Sequence, residues 1–118
     1  MSEATAESMK EFGVEVGREV AVAIGRRPST PDALACGEEA AARAIARGIR
    51  LREWSMVLTL KFSVQAGPMR ALTDRPIMIY GEWSADFDAE TAQSFIDGVS
   101  EGWAEMDSSA YAGLFGAW

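Results

Sequence analysis

Residues 12 to 25, Phe12-Gly13-Val14-Glu15-Val16-Gly17-Arg18-Glu19-Val20-Ala21-Val22-Ala23-Ile24-Gly25, fit two periods at once, and the choice between them decides how much of the chain is sheet. At three- and four-residue spacing, Met9, Phe12, Val16, Val20 and Ala23 form an apolar stripe, while Glu3, Glu7, Glu11, Glu15 and Glu19 recur every four residues. At period two, Phe12, Val14, Val16, Val20, Val22 and Ile24 all fall on even positions, and the Gly and Val content is unfavourable for a helix. The helical reading is adopted: an amphipathic helix of about five turns ending near Gly25. The strand reading stays open beside it.

Outward from this segment, Arg26-Arg27-Pro28-Ser29 is a break. Thr30-Pro31-Asp32 reads as a helix start, with Thr30 as N-cap, Pro31 at the first position and an acid against the dipole. The helix runs through the Ala-rich stretch to about Leu51, with Ala41, Ile45, Gly48 and Ile49 on its packed side. Ala40, Ala44 and Gly48 would allow another helix to approach closely. Arg43, Arg47 and Arg50 fall on a different face.

From Trp54 to Gln65 every even position is a large apolar residue, which only a strand explains. A second alternating run puts Ile77, Ile79, Trp83, Ala85 and Phe87 on one face and Tyr80, Glu82, Ser84 and Asp86 on the other. Gly67-Pro68 and Thr73-Asp74-Arg75-Pro76 between them suggest a long-looped hairpin. Asp88 then fits an N-cap, and Ala92, Phe95, Ile96, Val99, Trp103 and Met106 trace a helical apolar face. Beyond Asp107-Ser108-Ser109, residues Tyr111, Leu114, Phe115 and Trp118 have the spacing of a short docking helix.

The expected fold is α+β, with helices packed on one face of a small antiparallel sheet, in the order α-α-β-β-α plus a short C-terminal helix. Residues 1–118 form a single domain, and 108–118 an aromatic C-terminal docking tail. Two strands alone are marginal. Either the N-terminal segment supplies more strand, or sheets from separate chains join in an oligomer.

Composition excludes more than it suggests. The 118 residues carry a formal net charge of -7, with no histidine, no asparagine, two lysines (Lys10 and Lys61) and one cysteine, Cys36. Histidine acid/base chemistry, Ser-His and Cys-His nucleophilic pairs and ordinary zinc sites are therefore beyond a single chain. A lone cysteine and no glycosylation sequon make a cytoplasmic location the default. The acidic start at Met1 is unlike a signal peptide, and the longest uncharged stretch, Ser108 to Trp118, is short of the ~20 residues of a membrane span.

Charge is uneven: residues 76–118 hold eight acids and no base. Asp97, Glu101 and Glu105 form an acidic stripe and Arg43, Arg47 and Arg50 a basic one, and both are either solvated faces or halves of an interface. With Tyr111, Leu114, Phe115 and Trp118 they make up the candidate interaction surface. Glu82, Asp86, Asp88 and Glu90 are the best candidate for a hard-cation site, but Thr91 stands where a calcium loop needs its turn glycine, so no metal or cofactor is expected. Glu82 and Asp86 beside Tyr80 lack an activating partner, Cys36 reads as a small buried residue, and Trp54 and Trp83 as core. No catalytic constellation emerges, and the acidic balance disfavours direct nucleic-acid binding.

These features point to a small soluble non-enzymatic interaction or assembly module, self-associating or a subunit of a larger particle. The expected partner is a protein, with a homo-oligomer foremost and no membrane. The alternative is an acidic inhibitor of anti-restriction or anti-CRISPR type, whose regular carboxylate rows mimic nucleic-acid phosphates and occupy a partner's basic groove. A small-molecule pocket between sheet and helices is a weaker third reading.

Overall fold

The computed structural model describes residues 5–26, 29–53, 56–64, 77–85 and 89–115. The ambiguous N-terminal segment is helical: α1 spans Ala6–Gly25. It starts with a reciprocal cap, in which Thr5 Oγ1 accepts from the Ser8 N–H at 3.1 Å and Ser8 Oγ accepts from the Thr5 N–H at 2.8 Å. Helix α2 spans Thr30–Arg52. Its N-cap is Ser29, one residue before the expected Thr30: Ser29 Oγ accepts from the Asp32 N–H, and Pro31 lies in the first turn, where its missing N–H costs nothing.

Strands β1 (Met56–Val64) and β2 (Ile77–Ala85) pair antiparallel, with Met56 opposite Ala85 and Val64 opposite Ile77. Helix α3 spans Ala89–Phe115. It passes through Asp107-Ser108-Ser109 without interruption, so no separate short C-terminal helix follows. The expected Asp88 cap and Trp118 lie outside the described residues.

The expected α+β layering is overturned. The dominant packing is helix on helix, α1 against α3 and then α1 against α2, while the strand segments meet the helices mainly where β2 touches α2. Among the side chains described, the buried core comprises Met9, Phe12, Val16, Val20 and Ile24 of α1, Ala41 and Ile45 of α2, Phe95, Val99 and Trp103 of α3, and Ile77 and Ile79 of β2. The described residues form three helices of 20, 23 and 27 residues packed on one another, with the paired strands against α2, and among them no sheet serves as a platform for the helices. Period-two alternation in 54–65 and 77–87 reports strand geometry only. It carries no information about whether the helices would rather bury their apolar faces on the strands or on one another.

What the helices chose is set by four glycines. A Cβ on Gly13 would fall 2.2 Å from the Phe95 carbonyl oxygen, and one on Gly17 2.2 Å from that of Val99. From the other side, a Cβ on Gly98 would meet the Lys10 carbonyl oxygen at 2.1 Å, and one on Gly102 that of Val14 at 2.1 Å. The contacts advance together along both chains, so α1 and α3 run parallel with their backbones in direct contact. The same glycines that weakened the helix reading of α1 are the surface on which α3 lies. On the opposite side Phe12 fills the space over Gly48 of α2, its ring 5.3 Å from that of Phe95 and 4.9 Å from the Arg52 guanidinium carbon.

Helix α2 ends at Glu53, whose φ of 55° is left-handed. Its N–H reaches back to the Arg50 carbonyl at 3.3 Å. A side chain disfavours this conformation and glycine does not. Glu53→Gly is therefore expected to raise stability by about 0.5–1 kcal/mol, read as a higher urea midpoint at unchanged slope. A lower midpoint would show that the Glu53 side chain contributes something its exposure hides.

Candidate interaction groove

Helix α1 lies between its two partners and directs charge to both. Toward α3, Lys10 Nζ sits 3.3 Å from Glu101, and one Arg18 nitrogen donates to both Glu105 carboxylate oxygens at 2.9 Å. Toward α2, which runs antiparallel to it, Glu19 accepts from Arg47 and Glu15 from Arg52. The hydrogen bond that Arg47 donates to Glu19, followed by the charges of Glu19 and Glu15, holds the Arg47 pKa above its ordinary value. Such exposed pairs are worth roughly 0.2–1 kcal/mol each, so they set helix register more than stability.

The two stripes read from the sequence are thus placed apart. Arg47 engages α1, Glu101 and Glu105 engage α1 from the other side, and Asp97 accepts a hydrogen bond from Gln93 at 3.0 Å. Arg50 is exposed near the end of α2. Tyr111, Leu114 and Phe115 lie on the last turns of α3, and their side chains, like Trp118, are outside the described set. Of the proposed cation cluster, Glu82 and Glu90 lie on described backbone and Asp86 and Asp88 do not; among the described residues no acidic or sulfur cluster suited to a metal is formed. Cys36 is buried.

Arg43 and Arg47 do share a site, together with residues the sequence reading did not single out. Between α1 and α2 runs an open groove of about 480 Å³, floored by Val22, Ala23, Ala40 and Ala44, with Met106 of α3 at its margin. Arg18, Arg26, Arg43 and Arg47 rim it against one acid, Glu19. Arg47 and Arg18 are held by Glu19 and Glu105. Arg43 has a 3.7 Å contact with Glu39 on its own helix, both largely exposed, and Arg26 has no carboxylate partner among the described residues. Guanidinium forks over a small-residue floor suit carboxylates carried on a closely approaching backbone.

Among the described residues, no helix is long and apolar enough to cross a membrane. Comparison with known proteins finds no matching protein family, no similar curated protein and no similar solved structure.

Proposed function

We propose that the chain is a small non-enzymatic protein-interaction and assembly module that self-associates through the groove between α1 and α2. One observation carries this reading: in a chain of net charge -7, four arginines converge on an apolar-floored groove that holds a single acid. Arginine is enriched at protein interfaces and among their hot spots. The inhibitor reading has no comparable support, because Glu15, Glu19, Glu101 and Glu105, the most regular parts of the two carboxylate rows, each have a basic partner within the chain. A phosphate mimic needs such rows free.

The test is solution mass by light scattering after size exclusion, at low and high salt. The expected result is a species at an integer multiple of the 12.7 kDa chain at low salt, shifting toward the monomer near 1 M salt, where the screening length falls to about 3 Å. A monomer under both conditions across the accessible concentration range would overturn self-assembly.

A further inference from the structure

The contact between α1 and α2 is a ladder that runs out of partners differently at its two ends. Its rungs are Glu15 with Arg52 and Glu19 with Arg47. Toward the start of α1 the glutamate row continues through Glu11 and Glu7, both exposed, but α2 has already ended at Arg52. Neither carboxylate has a basic partner among the described residues. Toward the other end the row stops, because Ala23 takes the place four residues beyond Glu19. Arg43, four residues before Arg47, therefore has no acid across the seam, and Arg26 stands at the same groove. The seam begins with surplus acid and ends with surplus base.

We infer that these ends are complementary halves of one interface, through which the first turns of α1 in a second copy, carrying Glu7 and Glu11, dock in the groove beside Arg43 and Arg26. This rests on the self-assembly reading and names its contact. Reach supports it: Glu7 and Glu11, four residues apart, lie about 6 Å apart along one face of α1, so one docked stretch of helix presents both carboxylates. Charge supports it as well. Glu19, the one acid lining the groove, is engaged by Arg47, and Arg18 is held by Glu105; Arg26 has no carboxylate partner among the described residues and Arg43 only a 3.7 Å contact with exposed Glu39, which leaves both for the incoming carboxylates. Ala23, Ala40 and Ala44 let the incoming helix lie close without reshaping the floor. Because acid end and basic end lie on different surfaces, the contact is heterologous and builds rings or open chains rather than an isologous dimer.

Two charge reversals and their mixture test this, with far-ultraviolet circular dichroism confirming that each variant keeps the wild-type helix content. Arg26→Glu/Arg43→Glu leaves acid at both ends, and Glu7→Arg/Glu11→Arg leaves base at both ends. Each alone should weaken assembly at least tenfold and run as a monomer at concentrations where wild type is assembled. Mixed one to one, the two variants should recover a mass above that of either, since each now offers what the other lacks. If wild type assembles and neither reversal alters its mass, the paired-ends inference fails while self-assembly stands; a mixture that stays monomeric also sinks it. A wild type that never assembles removes both.

Discussion

Gly17→Ala is expected to destabilise the protein by about 1–3 kcal/mol, and the pair Gly17→Val with Gly102→Val to abolish the folded state. The sign is the informative part. In an ordinary helix interior, replacing glycine by alanine gains about 1 kcal/mol. Here the added methyl would lie 2.2 Å from the Val99 carbonyl oxygen and 2.8 Å from the Trp103 nitrogen, both backbone atoms that no rotamer change can move. Relief requires α1 and α3 to separate, which strips contact from Val16, Val99 and Trp103 together. Urea unfolding with circular dichroism gives the result directly, and a Gly17→Ala variant more stable than wild type would show that the two backbones do not touch.

Trp103 supplies the second large effect. It is fully buried in the helical core, and its indole N–H has no hydrogen-bond partner among the described residues. Trp103→Ala should cost about 3–5 kcal/mol, the range for emptying a large aromatic site. Trp103→Phe should stay within about 1 kcal/mol of wild type, because the smaller ring loses packing but also removes a buried donor whose desolvation costs about 1–3 kcal/mol. The comparison between the two variants is what matters. If phenylalanine costs as much as alanine, the N–H makes a bond that this structure does not show.

Much of the local structure was legible in the sequence. The stripe of Met9, Phe12, Val16 and Val20 is the buried face of α1, and Phe95, Val99 and Trp103 form that of α3. Local rules carried those readings, since helix faces and caps depend on residues within one or two turns. The missed N-cap at Ser29 shows the one-residue limit of such rules, as Ser29 and Thr30 are both able to cap.

Architecture and site were less accessible. Gly13 and Gly17 in one segment and Gly98 and Gly102 in another share a spacing of four, a sign of close helix contact; within the first segment alone the same glycines argue against a helix, and the match between the two pairs shows only when the helices are brought together. Periodicity groups Arg43 and Arg47 as one stripe but cannot join Arg18 and Arg26 to them, because those two lie 17 to 29 residues away, on α1 and at its end. Which carboxylate each arginine meets depends on the antiparallel register of α1 and α2, and no periodicity within either helix encodes it.

The sequence by itself determined the charge balance, the absence of histidine chemistry and the apolar face of each helix, because these depend on composition and on neighbours along the chain. Only the tertiary structure decided that α1 and α3 lie backbone to backbone, that the helices pack mainly on one another, and that four arginines share a groove. Those outcomes turn on contacts between distant segments, where a missing Cβ or a ladder ending one rung early changes what can touch.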